Sequence, residues 1–173
     1  MSTNYESSGT DQWHLTNTAA VTGAPFTIAC WAKAESDTTN MFLVWIGDKD
    51  TTNQKYGLIM PNTNVARFRI ENSTGLNVET STTGVDLWIT GKWYHLCAVE
   101  ASSTSHSIYL DGGKKFTSTT SKTVAGADRT AIGVDASSTK ANYMDGSIAH
   151  AAIWNVALAD EEVASLASGI SPL

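Results

Sequence analysis

From position 26 to position 155 the apolar residues recur with period two rather than 3.6, in short runs separated by clusters of Gly, Asn, Asp, Ser and Thr. Period two sends alternate side chains to opposite faces of a strand, so each run predicts one strand. Residues 26–33 set Phe26, Ile28, Cys30 and Ala32 against Thr27, Ala29, Trp31 and Lys33. The second set is half apolar too, which predicts an interior strand. Residues 41–46 are continuously apolar and of strand length, bounded by Gly47 and the loop DKDTTNQK. Residues 56–60 and 65–70 flank PNTN, whose Pro and Asn supply turn chemistry, so the pair predicts a hairpin. Residues 76–82 are Thr-rich and predict an edge strand. In 92–100, Trp93, His95, Cys97 and Val99 share one face and Tyr94, Leu96 and Ala98 the other. Residues 108–110 and 114–119 flank Asp111-Gly112, the strongest short-range hairpin signal in the chain. Residues 129–134 and 147–155, the latter after Asp145-Gly146, complete about ten short strands. That number and spacing predict an all-β fold, an antiparallel β-sandwich or barrel.

The period changes only near the end of the chain. ALADEEVASLASG places Asp160, Glu161 and Glu162 in a first turn, puts Val163, Leu166 and Ala167 on one face, and offers Gly169 as the stop with Pro172 beyond. One short C-terminal helix is expected, docked on the sandwich through Leu158, Val163 and Leu166, because two turns are marginal alone. No internal repeat or linker divides the chain, so one domain over 1–173 is expected, with a polar N-terminal segment and a first strand in 1–25 and the sandwich in 26–169. Residues 1–12 are too polar to join a core and are expected to serve as an anchor or an additional strand.

Composition narrows the function classes. Ser and Thr supply 41 of 173 residues and only 16% are charged, which fits a β-rich chain and excludes a coiled coil. A formal charge of −6 argues against nucleic acid as a partner. No apolar stretch is long enough to insert in a membrane. The first 25 residues lack a basic stretch followed by an apolar one, so no secretion signal is recognised, and with Met1 in place an intact product made in the cytoplasm is expected. Cys30 and Cys97 sit in the apolar runs FTIACWA and WYHLCAV, so buried free thiols are expected, with a Cys30–Cys97 bridge as the alternative.

Three segments carry a resemblance. FTIACWAK at 26–33 is similar to an opening FTIxxWxK strand. GKWYHLCAVEASSTSHSIYLDG at 91–112 is similar to a W-x-H-hydrophobic-A … LYxDG hairpin. MDGSIAHAAIWNVALADEEVASLASG at 144–169 is similar to xxGxIDEVRIYNxALSxEEIxxLxxG. In this order and spacing the chain resembles the laminin-G-like, concanavalin A-like lectin/glucanase superfamily. The resemblance implies a jelly-roll β-sandwich, a fold that hosts lectins, adhesion modules, glycosidases and virion proteins. Ala149 and His150 stand where relatives carry an acidic pair, so a metal or salt-bridge role tied to those acids does not carry over.

Catalytic chemistry finds little support. A retaining glycosidase needs two carboxylates about 5–5.5 Å apart, and the Glu-x-Asp-x-Glu strand that would supply them is missing: Glu71, Glu79 and Glu100 are isolated, and Glu161 and Glu162 belong to the helix. His14, His95, His106 and His150 lack zinc spacing, and His95 is expected to be a satisfied core group. No enzyme activity is expected. Calcium prefers loop oxygens, which makes Asp48, Asp50 and Asn53 one candidate Ca2+ site and Asp135, Asn142 and Asp145 another. Glycan binding needs an exposed aromatic platform beside polar groups, and Trp88, Tyr143, and Tyr56 with Gln54 are the loop-proximal candidates. Trp13, Trp31, Trp93 and Trp154 read as core or strand-anchoring residues.

Relatives of this fold mostly work outside cells, whereas this chain shows no export signal. Virion proteins fold in the cytoplasm and reach the outside by lysis. The leading expectation is therefore a non-enzymatic surface module of a bacteriophage, a capsid decoration or fibre protein at the virion surface, with a glycan-binding or adhesion role. Its expected partners are other virion or surface proteins, cell-surface glycans and further copies of itself, as a trimer. The alternative is a carbohydrate-binding or adhesion domain of a secreted, extracellular cellular protein; a glycoside hydrolase ranks third.

Overall fold

The computed structural model describes the backbone of residues 2–5 and the full residues 12–72 and 88–169. Eleven strands and one helix are seen: β1 (Ser2–Tyr5), β2 (His14–Thr16), β3 (Phe26–Ala34), β4 (Met41–Gly47), β5 (Lys55–Met60), β6 (Arg67–Glu71), β7 (Tyr94–Ser102), β8 (Ser105–Leu110), β9 (Lys114–Ser118), β10 (Arg129–Ile132), β11 (Gly146–Trp154) and α1 (Asp160–Ala167). They form two antiparallel sheets, one of six strands in the order β1-β11-β3-β7-β8-β9 and one of five in the order β2-β10-β4-β5-β6. This is a jelly-roll β-sandwich with one short C-terminal helix. Strands from distant parts of the chain pair at every sheet centre, so folding depends on long-range contacts rather than on hairpins alone.

Alternation decides which face is which. On β3, Phe26, Ile28, Cys30 and Ala32 point between the sheets and meet Leu43 and Ile46 of β4, Tyr56 and Leu58 of β5, and Phe68 and Ile70 of β6. Phe26 packs edge-on against Tyr56 with ring centroids 4.8 Å apart, and Tyr56 stacks on Phe68 at 6.3 Å. Such aromatic pairs add roughly 0.5–1.5 kcal/mol each beyond the burial of their area. The other face of β3 and β7 looks outward: Ala29, Cys97 and Val99 join Tyr109, Leu158 and Val163 in a separate cluster beneath α1.

The two cysteines illustrate the same rule. Ala29 pairs with Cys97 and Cys30 with Leu96, so the thiols lie on adjacent strands but on opposite faces of the sheet. Both are free and buried, and burial pushes the Cys97 thiol up to about 12 and raises that of Cys30 further. The bridge weighed above is therefore absent.

The predicted strands in 26–70 and 92–155 appear with bounds shifted by a few residues, and the edge strand expected at 76–82 lies outside the described residues. Ahead of residue 26, β2 pairs with β10 and β1 with β11, so even the polar N-terminal stretch contributes an added edge strand. No helix among the described residues is long and apolar enough to cross a membrane.

Candidate functional site

The outer face of the six-stranded sheet carries a cleft of about 260 Å3. Its floor is made by alanines. Ala29 of β3 lies directly opposite Ala152 of β11, and neither side chain rises far enough to fill the space above the sheet. Trp31 is two positions beyond Ala29 and so shares its face. Trp154 stands on the same face of β11, two positions beyond Ala152, and both indoles stay partly exposed as walls. Trp31 is the cross-strand partner of His95, with ring centroids 5.5 Å apart in an edge-to-face arrangement.

A bulge in β11 shapes one rim. Pairing with β3 runs through Ala149, breaks, and resumes at Ala152. His150, in the break, has φ +52°, a left-handed conformation that non-glycine residues rarely adopt. Bulges of this kind re-aim side chains, and here an exposed imidazole borders the cleft at the position where relatives were expected to carry an acid.

Helix α1 supplies the far wall through Leu166, together with Gly169, two residues past the helix end. The helix is held at its start. Tyr109 donates its hydroxyl to Asp160 Oδ1 at 2.7 Å, Lys115 Nζ reaches the same oxygen at 2.8 Å, and Glu162 accepts the Ala159 amide at 2.7 Å. Val163 and Leu158 bury against Cys97 and Val99. Gly112, in the turn after β8, lets the helix come close: a Cβ there would lie 2.6 Å from the Ala167 Cβ. Asp111 and Gly112 both have positive φ, as the hairpin signal predicted.

The chemistry of the cleft is uncharged. His95 is 2% exposed, and its Nδ1 has no hydrogen-bond partner. Burial pushes its pKa down to about 4, against a smaller opposing pull from Asp111, so the imidazole is neutral at pH 7. Among the described residues no Asp, Glu, Lys or Arg lines the cleft. Two indoles, two imidazoles and an alanine floor offer flat apolar surface beside polar ring nitrogens.

The aromatic residues singled out by sequence fall elsewhere. Trp88 is fully buried in the inter-sheet core, held by its amide to the Asn64 carbonyl at 2.9 Å, so it presents no platform. Tyr56 is also a core residue, stacked on Phe68, and Gln54 accepts the Ala125 amide at 2.9 Å. Tyr143 is half-buried against the cluster of Phe42 and Trp45 on the outer face of the five-stranded sheet. Trp31 and Trp154, read as anchors, are the tryptophans that line the cleft, and His95, read as satisfied, keeps an unpartnered nitrogen. The signal that would have found them was already present: Ala-x-Trp on β3 and Ala-x-Trp on β11 place a small residue next to a large one on one face.

The calcium candidates divide. Asp48 and Asp50 come together with Asp128, which the sequence did not suggest, their carboxylate oxygens within 4.8 Å of one another. Lys49 occupies this cluster, with Nζ 2.7 Å from both Asp50 and Asp128. The hydrogen bonds to Asp128 and then Asp50 hold the Lys49 ammonium above its ordinary range, and Lys49 in turn lowers Asp128. An ammonium among three acids leaves a poor fit for a second cation. Asp135 binds the buried Lys55 ammonium at 2.7 Å and the Ser137 hydroxyl, while Asn142 and Asp145 use their carbonyls to accept the Phe42 and Glu35 amides.

Residues 7–164 match the family described as the concanavalin A-like lectin/glucanases superfamily. No curated protein matches the chain. Solved structures with the same fold include the CBM40 of a Ruminococcus gnavus IT-sialidase bound to alpha2,3 sialyllactose, at 14% identity and a TM-score of 0.71 over 83% of this chain and 82% of that one. Domain 4 of AbnA, a GH43 extracellular arabinanase from Geobacillus stearothermophilus in complex with arabinotriose, is 21% identical with a TM-score of 0.70, over 94% of this chain and 80% of that one. A heptameric SAP-like pentraxin from Limulus polyphemus is 15% identical with a TM-score of 0.74, over 98% and 82% of the two chains.

Proposed function

We propose, starting from the fact that the chain belongs to the concanavalin A-like lectin/glucanases superfamily, that it is a non-catalytic carbohydrate-binding domain whose ligand, a neutral glycan, lies in the cleft between Trp31 and Trp154. The observation that carries the reading is the pair of partly exposed indoles over an alanine floor with the unpartnered His95 Nδ1 beside them. A sugar ring lays its C–H face on an indole and turns its hydroxyls toward polar groups at the edge, and a site of this class needs both kinds of surface. Supporting it further, two domains of the same fold are bound to sialyllactose and arabinotriose. The cleft has no carboxylate among its described lining residues, and hydrolysis by the two-carboxylate route requires a pair. Neutrality of the lining favours uncharged saccharides over sialylated ones.

A glycan array followed by calorimetric titration of the best ligand tests this. Trp31→Ala and Trp154→Ala are each expected to weaken binding by at least about tenfold, close to 1.4 kcal/mol. Unchanged affinity in both variants overturns the assignment.

Display on a bacteriophage virion is a separate proposal, favoured by the position of β1: this N-terminal edge strand, laid along β11, stands where a strand from a neighbouring subunit could take its place. Density-gradient co-sedimentation with particles from the source lysate is the test, and a chain that remains wholly in the soluble fraction removes the proposal.

A further inference from the structure

A second cavity, of about 460 Å3, is bounded by both sheets and shares no lining residue with the tryptophan cleft. Tyr56 of β5 and Glu100 of β7 form its inner end, Lys122, 3% exposed, is a buried part of its wall, and Thr22, Ser102 and Ser103 line its more exposed side. What marks it is the state of Glu100. This residue is 0% exposed, its Oε2 contacts His106 Nδ1, and its Oε1 has no hydrogen-bond partner. An acceptor buried without a donor is costly, so its persistence beside a cavity invites a ligand that donates to it.

The hydrogen bonds around Glu100 determine what charge the cavity carries. His106 Nε2 faces the Thr120 carbonyl at 2.9 Å, and a carbonyl only accepts, so Nε2 holds a hydrogen. One more hydrogen lies in the Nδ1–Oε2 contact. Whether that proton sits on the imidazole or on the carboxyl, the pair as a unit carries no net charge. Burial raises Glu100 above the usual carboxylate range, and although burial opposes the His106 charge, the Glu100 carboxylate and the Thr120 carbonyl raise it. Tyr56 keeps its hydroxyl proton, with burial first and Glu100 second lifting it to about 12, and its oxygen accepts the Val124 amide at 3.4 Å. Lys122 donates to Asn72 Oδ1 at 3.1 Å and brings the one formal positive charge among the described lining residues.

These groups select by elimination. A cationic ligand meets a neutral Glu–His pair and the Lys122 ammonium, which repels it. An ionised carboxylate or phosphate group is attracted by Lys122 but has no hydrogen to give to Glu100 Oε1, so it cannot take the place of a hydroxyl there. A neutral polyol has both kinds of group: one hydroxyl donates to Oε1 while others accept from Tyr56 and exchange hydrogen bonds with the Ser and Thr hydroxyls at the mouth. We propose that the cavity between Tyr56 and Glu100 is a second binding site, one that takes the hydroxylated end of a neutral saccharide or a small polyol. The site is independent of the cleft and stands whether or not the cleft binds a glycan.

Amide-resolved NMR titration of the full chain with D-glucose, D-galactose and glycerol reads the two sites separately. Saturable shifts are expected at the amides of Ser102, Ser103 and Thr123 with at least one of these probes, and they persist in Trp31→Ala, whose effect is confined to Ala151 and Ala152. Glu100→Leu, which removes the acceptor, is expected to weaken the response at residues 102, 103 and 123 at least tenfold. Should that variant fail to fold, Thr22→Trp, a plug placed on the exposed rim, is expected to abolish the same response. The proposal is overturned if no probe moves those amides, if the folded variants leave the shifts unchanged, or if ethanolamine or glucuronate binds there more tightly than the neutral probes.

Discussion

On the five-stranded sheet the outer-face residues Phe42, Trp45 and Ile59 are buried together with Val134 and Ala136, whereas on the six-stranded sheet Trp31 and Trp154 stay partly exposed around an alanine floor. The residue types differ accordingly. The closed face carries large residues against each other, and Gly57 gives the Phe42 ring room to lie flat: a Cβ at 57 would sit 2.5 Å from that ring. The open face carries Ala29, Ala151 and Ala152, of which Ala29 lies in the cluster beneath the covering helix while Ala151 and Ala152 stay half-buried. One face is thereby devoted to stability and the other left available for a ligand.

The largest effect is therefore expected on the closed face. Lys55 is 6% exposed, with Nζ 2.7 Å from Asp135 and 3.4 Å from Glu71. Lys55→Ala leaves Asp135 buried without its ammonium, while Glu71 keeps Arg69, and should destabilise the fold by about 3 kcal/mol or more, read as a lower urea midpoint with an unchanged slope. Replacing both partners, Lys55→Met with Asp135→Leu, should recover most of that loss. Affinity at the cleft should not change while the variants remain folded. A Lys55→Ala protein as stable as wild type would mean that the closed face is not where stability is concentrated.

Next in size is the pH response of the open face. His95 titrates at about 4 in the folded protein and near 6.5 when unfolded, because burial disfavours the imidazolium. Between those values the unfolded chain binds a proton that the folded chain refuses. The stability supplied by neutral His95 is thus complete above pH 6.5 and is lost as pH falls toward 4, in total on the order of 3 kcal/mol. His106 is shifted the other way, so the His95 contribution is isolated by difference: denaturation of wild type and His95→Gln across this range should differ by this slope, the wild type losing more stability as pH falls. Equal slopes would remove the neutral imidazole from the cleft.

How much of this contrast was visible beforehand depends on what sets it. The alternation in 26–33 and 92–100 set Ala29 and Trp31 on one face against Phe26 and Cys30, and His95 and Cys97 on one face against Leu96; the structure keeps these groupings, because a strand's period is fixed by its backbone, and adds which face looks outward. Whether an outward residue is then buried depends on what the chain lays over it much later. For Trp31 the cover is α1, which stops short; for Trp45 it is Val134 and Ala136, which do not. Periodicity contains neither fact. Trp88 misled for a related reason: its polar neighbours suggested a loop tip, but the mutual hydrogen bonds of Asn64 and Trp88 turn the indole inward. Asp135 likewise resembled a metal ligand until Lys55, distant in sequence, was seen to be its partner.

A smaller effect tests the edge between the two regimes. Gly112 has φ +74° and faces Ala167 of α1. Gly112→Ala forces a left-handed conformation that costs roughly 1–2 kcal/mol in an L-residue, and its methyl pushes the helix outward. Both a lower melting temperature and weaker cleft binding are expected, since Leu166 moves with the helix. A loss of stability with unchanged binding would show that the helix is not a working wall.

The finest comparison is made on the floor itself. Ala152→Leu adds a side chain where the cleft is deepest, beside Ala29, without removing any hydrogen bond or charge pair. Because position 152 is only half-buried, the leucine has open space to enter and stability should change by less than about 1 kcal/mol. Binding should nonetheless fall by about tenfold, some 1.4 kcal/mol, because the ligand and the new side chain compete for one volume. The contrast with Lys55→Ala is then complete in both directions: a polar deletion on the closed face lowers stability and spares affinity, while an apolar addition on the open face lowers affinity and spares stability. If Ala152→Leu binds as wild type does, the ligand does not rest on the alanine floor, and the indoles act, if at all, from their outer edges.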